Sequence, residues 1–380
     1  MTDPDRGPLQ ATRRAQLLEA LHRDGSVRVS DLTKTLGVAA VTIRRDITEL
    51  AGEGLVRRVH GGATLVADPT PGSSAGASGG APARHAPSVR DVGMLVPSLD
   101  YYWPDVVRGA EAAARGQRFR IRLRGSSYDS TDDRPQLERF VARSGVAGLL
   151  IAPRLESPTI GQTLEWLAST GLPVVLVERQ ASVGPHHALM ESVTTDHALG
   201  AAMAVRHLVA LGHQKVGLLT NAPSPTSPHV RRGWFEGALE AGFSIQSTVD
   251  AEVPNTGDDG WDAAVDAVLE ACARTGTTAL LVHADAEAIA LMQRCEQHHL
   301  SVPGDLSIVA YDDTVAGLVS PPMTAVRPPR SAVGHAAMDL LVARRADPGR
   351  PPHRVLISPS LHVRESTAPP MRSSEQAGHR

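Results

Sequence analysis

Residues 42–63 read TIRRDITELAGEGLVRRVHGGA and join an arginine-bearing helical pattern to a short basic hairpin. Apolar residues recur in it at i, i+4 and i+7, namely Ile43, Ile47 and Leu50. This spacing predicts a helix with one face toward a core and with Arg45, flanked by Thr42 and Arg44, on the opposite face. An exposed arginine can donate to guanine edges in the major groove, and a threonine can contact a base or a phosphate. The stretch therefore has the chemistry to read duplex DNA.

The flanking sequence completes a small domain over residues 1–66. Two short apolar faces precede the stretch, formed by Leu17, Leu18 and Leu21 and by Val29, Leu32 and Leu36. Strand-like pieces at 55–58 and 64–66 surround His60, Gly61 and Gly62, where glycine permits a tight reversal. Three helices and a basic hairpin predict a winged helix-turn-helix. The alternative is that the arginines only form a solvated surface, as charged groups on helices often do.

The segments RAQLLEAL (14–21), SDLTKTLGV (30–38) and 42–63 resemble the DNA-binding domain of the DeoR family of bacterial transcriptional repressors, over roughly residues 12–66. The resemblance implies that the TIRRD helix is the recognition helix and that the hairpin is the wing. It implies DNA contacts by Thr42, Arg44, Arg45, Arg57, Arg58, His60, Gly61 and Gly62. The family usually has a serine at the position of Ala39, so a hydroxyl that could cap a helix or hold a phosphate is absent and a lower affinity is expected.

Length and composition favour two domains, one of them large. The chain has 380 residues, 42% of them hydrophobic but only 3% aromatic, and a net charge of -3. Residues 1–66 have a net charge of +2 and residues 89–380 one of -5. So small a basic excess is weak evidence for nucleic-acid binding, and the positions of the arginines must support it.

Several classes of protein are disfavoured by what the sequence lacks. Cys272 and Cys295 have no metal-site spacing, which favours a reduced compartment, and no metal or other cofactor is expected. No apolar run reaches membrane length, and the first residues lack a signal-peptide core. We therefore expect a cytoplasmic protein that makes no membrane contact.

A change of composition separates the two predicted domains. Residues 67–88 include PTPGSSAGASGGAPA, which has almost no large apolar side chain, and this predicts a flexible linker. Residues 369–380 are similarly polar and are predicted to be a disordered tail.

The region 89–368 alternates short apolar runs with helical patterns. The runs are VGMLVP, FRIRL, AGLLIAP, PVVLVE, VGLLT, ALLVH and LSIVAY. This alternation predicts an α/β fold of two similar lobes, in which helices flank parallel sheets and a cleft separates the lobes. Polar or aromatic groups follow several runs, at 98–103, Glu178, Arg179, Asp285, Asp312 and Asp313. Taken singly, each is better explained as a helix N-cap or a loop acid, but their shared position beyond strand ends indicates a ligand cleft.

A series of motifs runs through this region. In chain order they are GMLVPSLDYYWPDVVRGAEAAA (93–114), PVVLVER, VTTDHALGAAMAVRHLVALGH, RRGWFEGAL, VPGDLSIVAYDD, SPPMTAVRPP and LHVRES (361–366). The motifs and their order resemble the effector domain of the LacI/GalR family. This implies the fold of periplasmic sugar-binding proteins, a ligand between the lobes and a homodimer. Carried over by position, the aromatic pair of the pocket is Tyr102 and Trp103, the acidic sugar contact is Glu178, and the acid of the G-x-D-D motif is Asp312. Aromatic faces stack on sugar rings, and carboxylates accept hydrogen bonds from hydroxyls.

Four positions depart from the family pattern. Val230 replaces an arginine, Ala284 and Ala152 replace asparagines, and Asn255 replaces an aromatic residue. We expect an effector site that also includes Arg231, Asn255 and Asp285, in which Arg231 compensates in part for the arginine lost at 230. An atypical ligand is therefore expected.

Together, these patterns predict a sequence-specific transcriptional regulator that binds operator DNA and a carbohydrate effector. The resemblance implies that it acts as a repressor. In the families that the two regions resemble, a DeoR-type domain is usually joined to a different sensor domain. A LacI-type sensor is usually joined to a different helix-turn-helix, followed by a hinge helix. The pairing in this chain is therefore uncommon. With a linker in place of the hinge helix, we expect effector binding to change the spacing of two DNA-binding heads. Alternatives are a sugar-binding or transport protein and a sugar-processing enzyme. The enzyme is disfavoured because no P-loop, nucleophile elbow or metal cluster occurs, and no catalytic residue is predicted.

Overall fold

The computed structural model describes residues 89–99, 101–126, 132–222 and 224–371, together with separate positions between 17 and 65. The chain divides into two units, Met1–Arg84 and His85–Arg380. The predicted linker 67–88 and residues 372–380 of the predicted tail lie outside the described residues.

The amino-terminal unit has a small apolar core and a three-stranded antiparallel sheet. Its strands are β1 (Ser26–Arg28), β2 (Val56–Val59) and β3 (Gly62–Leu65), in the order β1-β3-β2. The buried core residues are Leu17, Leu32, Ile43, Ile47, Leu50 and Val56. The apolar stripe predicted for the helix after residue 41 is thus confirmed, as is the hairpin, in which Val59 pairs with Gly62. Strand β1 was not predicted, because three residues are too few to show an alternating pattern.

The carboxyl-terminal unit alternates strands and helices through most of its length. In chain order its elements are β4 (Arg90–Val96), α1 (Trp103–Gly116), β5 (Phe119–Gly125), α2 (Arg134–Ser144), β6 (Leu149–Ile151), α3 (Ile160–Ser169), β7 (Val174–Val177), β8 (Ser182–Val183), β9 (Ala188–Leu189), β10 (Ser192–Thr195), α4 (His197–Ala210), β11 (Val216–Asn221), α5 (Ser227–Ala241), β12 (Asp250–Val253), α6 (Trp261–Thr275), β13 (Ala279–His283), α7 (Asp285–Gln297), β14 (Ser307–Tyr311), β15 (Thr324–Arg327), α8 (Arg330–Ala346), β16 (Arg354–Ile357) and β17 (Ser360–His362).

Twelve of these strands form two six-stranded sheets, one in each lobe, and β8 and β9 pair separately as a two-stranded antiparallel sheet. The first lobe contains a fully parallel sheet of order β16-β10-β7-β6-β4-β5. The second lobe contains the order β12-β11-β13-β14-β15-β17, in which only β17 runs antiparallel. Strands β11, β13 and β14 are buried along their whole length, as expected of parallel sheets covered by helices on both faces. The predicted two-lobed α/β fold is confirmed.

Helices α1 and α8 of the first lobe pack at backbone distance through glycines. A Cβ atom at Gly334 would lie 1.8 Å from the carbonyl oxygen of Val106, and one at Gly109 would lie 1.9 Å from that of Ser331. Only glycine fits at such contacts, because the clashing atom is main chain and cannot rotate away. Close packing of small residues lets the core form with few aromatic side chains.

The carboxyl ends of strands from both lobes converge on one cavity. Strand β7 is followed by Glu178 and β14 by Asp312, while β11 and β13 end at Asn221 and His283. Ligands of open parallel sheets bind beyond these strand ends. The fold thus places Glu178 and Asp312, which the sequence singled out, around a common space with Asn221 and His283.

Candidate ligand-binding cleft

A cavity of about 200 Å³ lies between the two lobes, and we call it the inner cavity. The first lobe contributes Tyr102, Trp103 and Glu178 to its wall, and the second contributes His197, His283 and Asp312. Pockets for drug-sized ligands are typically about 300–1,000 Å³, so the inner cavity suits a smaller molecule. A ligand bound there would touch both lobes.

Two aromatic rings form one wall of the inner cavity. Tyr102 and Trp103 meet edge to face at the start of α1, with ring centroids 5.6 Å apart. The guanidinium of Arg330 lies 5.0 Å from the centroid of Tyr102, and that of Arg179 lies 6.0 Å from the centroid of Trp103. These contacts orient the aromatic pair that the sequence analysis placed in the pocket.

The carboxylate of Glu178 is already engaged by protein groups. One oxygen accepts hydrogen bonds from the Tyr102 hydroxyl at 2.5 Å and from the Thr195 hydroxyl at 2.7 Å. The other accepts from the Thr195 amide at 2.9 Å and lies 3.5 Å from Nε2 of His197. Burial raises the pKa of this carboxyl, but the hydrogen bond and charge of His197, with the other donors, outweigh burial and hold the pKa at about 2. A carboxylate has about four acceptor sites, so the expected direct sugar contact by Glu178 is replaced by contacts within the protein.

His197 connects the lobes. Its Nε2 faces Glu178 of the first lobe, and its Nδ1 lies 3.0 Å from the hydroxyl of Tyr311 on β14 of the second lobe. Nearby, His283 is buried and has its Nδ1 3.4 Å from the hydroxyl of Ser227. Burial, followed by the charge of His197, lowers the pKa of His283 to about 3, so His283 is neutral at pH 7. The floor of the cavity is therefore a polar network that spans both lobes.

Asp312 presents a carboxylate to the cavity, and among the described residues it has no hydrogen-bond or ion-pair partner for its side chain. The residue is only 8% exposed. Burial raises the pKa of this carboxyl to about 6, against the opposing charge of Arg330, which bonds the main-chain oxygen of Asp312 instead. Buried polar groups normally have partners, so this carboxylate is suited to accept hydrogen bonds from a ligand.

Three residues expected to contact the effector are placed elsewhere. The carboxylate of Asp285 is fully buried and accepts four backbone N–H bonds, from residues 313–316, so it holds the loop after β14. The guanidinium of Arg231 pairs with Asp250 at 3.0 Å and with Glu252 at 2.6 Å, and thus does not compensate at the cavity for the lost arginine.

Asn255 is one contact removed from the cavity. Its side-chain oxygen accepts a hydrogen bond at 3.1 Å from Asn221, whose amide also donates at 2.8 Å to Glu287. Among the positions that depart from the family pattern, Val230 and Ala152 are buried and Ala284 lines the cavity.

Six polar residues of the cavity wall were not predicted from the sequence. They are His197, Asn221, Ser224, Thr226, His283 and Glu287. Asn221 and His283 are the last residues of strands, a signal that could have been read in the same way as that of Asp312. Glu287 gave no such signal, since it lies inside α7.

The predicted DNA contacts are only partly within the described residues. Thr42 is helical and partly exposed, Arg57 and Arg58 lie on β2, and Gly62 begins β3. Residues Arg44, Arg45, His60 and Gly61 lie outside the described residues. The backbone of the hairpin therefore agrees with a wing, while the contacts of its arginines stay predictions.

Other classes of site are not found in the part of the chain that the structure describes. There, no group of three His, Cys, Asp or Glu side chains is arranged to hold a metal ion. Both cysteines are unpaired and buried, and burial raises their thiol pKa values, to about 12 for Cys272 and about 11 for Cys295. No described helix has the length and apolar character needed to cross a membrane.

The chain joins a small helical unit with a basic hairpin to a two-lobed unit with a polar cavity between its lobes. This combination defines a ligand-responsive DNA-binding regulator. Comparison with known proteins gives the same class. Residues 13–68 match the model of the DeoR-like helix-turn-helix domain, and residues 205–367 match that of the periplasmic binding protein-like domain.

The chain is similar to known regulators over most of its length. It is 31% identical over 249 residues to the HTH-type transcriptional regulator reg1 of Streptomyces lividans, covering 63% of this chain and 69% of the relative. It is 25% identical over 310 residues to the arabinose metabolism transcriptional repressor of Geobacillus stearothermophilus, covering 79% of each. A crystal structure of a LacI family transcriptional regulator from Mycobacterium smegmatis superposes with a TM-score of 0.58 at 28% identity, over 74% of this chain and all of that one. The protein belongs to the LacI family of transcriptional regulators and carries a DeoR-like helix-turn-helix domain.

Proposed function

We propose that this protein is a cytoplasmic transcriptional repressor whose affinity for operator DNA changes when a small sugar or sugar derivative binds in the inner cavity. The observation that carries the proposal is the buried carboxylate of Asp312, which has no partner among the described side chains and lies beside the aromatic pair Tyr102 and Trp103. Sugars offer adjacent hydroxyl donors to a carboxylate and an apolar ring face to an aromatic side chain. The arabinose metabolism repressor among its relatives supports the same ligand class.

The proposed mechanism follows from the position of the cavity between lobes. A ligand that touches Tyr102 of the first lobe and Asp312 of the second stabilises the lobe arrangement in which both contacts form, and it shifts the equilibrium only by its difference in affinity for the two arrangements. In a homodimer, this change alters the spacing of the two DNA-binding heads, each joined through the glycine- and serine-rich linker 67–88. Lengthening the linker tests this route, because an effector response that stays unchanged as the linker grows would contradict it.

The alternative is a sugar-binding or sugar-processing protein that does not regulate DNA. It leaves the match of residues 13–68 to a DeoR-like helix-turn-helix without a role. A gel shift on DNA from upstream of the protein's own gene, with and without the sugar, separates the two, because only a regulator changes its DNA affinity.

The ligand is best sought by thermal shift of the full chain against a panel of pentoses and hexoses. A ligand that binds the native state alone raises the melting temperature. All four tryptophans lie in the carboxyl-terminal unit, so intrinsic fluorescence reports on that unit. Asp312→Asn should abolish the shift, whereas the exposed Asp259→Asn in the same lobe should preserve it. A shift that survives Asp312→Asn would remove Asp312 from the site.

A further inference from the structure

A second cavity adjoins the inner one and widens the cleft on one side. This outer cavity has a volume of about 420 Å³ and shares Glu178, Arg179 and His197 with the inner cavity. Its own wall adds Arg232 and His229 of α5. A ligand ring in the inner cavity can therefore extend a substituent into the outer one.

The cation common to both cavities is Arg179, and it has no carboxylate partner among the described residues. One of its terminal nitrogens donates to the main-chain oxygen of Glu178 at 2.7 Å. Its Nε is buried without any hydrogen-bond partner in the described part of the chain. The adjacent carboxylate of Glu178 faces Nε2 of His197 instead, at 3.5 Å, and accepts hydrogen bonds from Tyr102 and Thr195. Arg179 thus combines an uncompensated charge with an unused donor, an arrangement that a ligand anion would satisfy.

Two further basic groups face the same space. Within the described part of the chain, the ion pair of Arg232 is a long one, 3.7 Å to the exposed Glu236 one turn along its helix. The ring of His229 lies 6.4 Å from that of His197, and burial lowers its pKa, with smaller contributions from the charges of His197, Arg232 and Arg179. These basic groups are therefore close enough to act on one another and on a shared anion.

The acidic groups of the outer cavity do not cancel this charge. Besides Glu178, whose two oxygens are already hydrogen-bonded within the protein, they are Asp196 and Glu156. Asp196 accepts the amide hydrogen of Leu199 at 3.0 Å as the N-cap of α4, and Glu156 is exposed to solvent. Position 230 on α5, where the family usually has an arginine, is Val230 and is packed in the core of the second lobe. The cation of α5 that lines the outer cavity is Arg232, two residues further along the helix.

We infer that the effector is an anionic sugar, either a sugar phosphate or a sugar acid, with its ring at Asp312 in the inner cavity and its charged group held by Arg179 in the outer cavity. Arg232 and His229 complete the anion subsite. This inference rests on the proposed function, because it specifies the ligand of the same cleft. Guanidinium groups suit phosphate and carboxylate alike, since both present two oxygens to the planar donor fork.

Isothermal titration calorimetry of the full chain tests the inference with matched sets of a neutral monosaccharide, its phosphate and its uronic acid, and with inorganic phosphate alone. We expect one anionic member to bind more tightly than its neutral parent, and the phosphate and acid arms then identify the charged group. Arg179→Gln should weaken that binding by about tenfold to a hundredfold, the range of a charge-assisted hydrogen bond, and should not affect the neutral sugar. The exposed Arg274→Gln on α6 is the matched control and should bind like the wild type.

A second variant keeps the test decisive if Arg179→Gln does not fold, which the melting temperature without ligand reveals. Arg232→Gln should then weaken the anionic sugar by about twofold to fivefold, because its side chain is 60% exposed and its charge is screened. No weakening in the folded variants would overturn the inference.

The remaining outcomes separate this inference from the proposed function. Equal affinity for neutral and charged sugars contradicts an anion subsite and leaves the proposed function standing. Inorganic phosphate that binds as tightly as the sugar phosphate indicates an adventitious ion only, which also overturns the inference. If no sugar of either charge binds at millimolar concentration, the proposed function itself fails.

Discussion

Glu178 should stabilise the carboxyl-terminal unit through its charge, and Glu178→Gln removes that charge while keeping the size of the side chain. The wild-type side chain is only 4% exposed and is bonded by Tyr102, Thr195 and His197. A glutamine side chain keeps one acceptor oxygen, but its NH2 group donates hydrogen bonds. This NH2 group would face groups that donate to the second carboxylate oxygen in the wild type. The substitution therefore leaves donors of both lobes without their partner.

The magnitude follows from the pKa of this carboxyl. A pKa lowered from 4.5 to about 2 corresponds to about 3 kcal/mol of free energy of unfolding at pH 7, at about 1.4 kcal/mol for each pKa unit. For a unit of this size, about 2 °C of melting temperature accompany each kcal/mol, so we expect a loss of about 6 °C. The unfolded chain binds the proton more tightly than the folded one. The stabilisation is therefore complete above about pH 5 and is lost as the pH falls toward 2, so that by pH 3 less than half of the difference between the two proteins should remain.

Thermal unfolding monitored by tryptophan fluorescence at pH 7, 4 and 3 measures both effects. Glu165→Gln, an exposed carboxylate on α3 of the same lobe, is the matched control and should stay within about 1 °C of the wild type. A Glu178→Gln protein that melts within about 1 °C of the wild type at pH 7 would contradict a stabilising charge at Glu178. So would a difference that is as large at pH 3 as at pH 7, because it could not then arise from the ionised carboxylate.

Three further substitutions test the fold and the DNA contacts. Gly334→Ala should destabilise the first lobe by about 3 kcal/mol, the upper part of the range for overpacking, because its Cβ would meet the main-chain oxygen of Val106. The control Gly116→Ala should leave the stability unchanged, because its Cβ would lie in open space. Urea unfolding measures both. Arg45→Ala should cost about 1 to 3 kcal/mol on the specific operator and little on random DNA, as measured by fluorescence anisotropy. Arg57→Ala should weaken binding to both DNAs by a similar factor, and it should reduce the salt dependence of the affinity by about one phosphate contact. If Arg57→Ala affects only the specific operator and Arg45→Ala affects both DNAs, the roles of the two arginines are exchanged.

The sequence predicts best those elements whose pattern is long or repeated. All the runs from VGMLVP to LSIVAY except FRIRL contain a buried strand, because a strand covered on both faces needs consecutive apolar residues. FRIRL forms β5, which lies at the edge of its sheet and is mostly exposed. The four-residue strands β10, β12, β15 and β16 were not predicted. They carry polar or exposed residues such as Thr195, Glu252 and Arg354, so their pairing depends on neighbouring strands more than on local pattern.

Site residues show the same limit more sharply. Asp285 and Asp312 both follow strands in the sequence, yet the first binds backbone amides of a loop 28 to 31 residues away and the second faces the cavity. Glu178 stands at the predicted place, but its partner His197 makes it a link between lobes instead of an open acceptor. Which acid is free for a ligand is decided by such long-range contacts, and local sequence does not contain them.

The central claim is that a ligand in the cleft changes the affinity of this protein for DNA. The direct measurement is the Kd of the full chain for the DNA upstream of its own gene, by fluorescence anisotropy, with and without a saturating amount of the sugar that gives the largest thermal shift. We expect the Kd of the wild type to change by at least about fivefold, the lower end of typical coupling between sites, and that of Asp312→Asn by less than about twofold. A wild-type Kd that is the same with and without the bound sugar would contradict it.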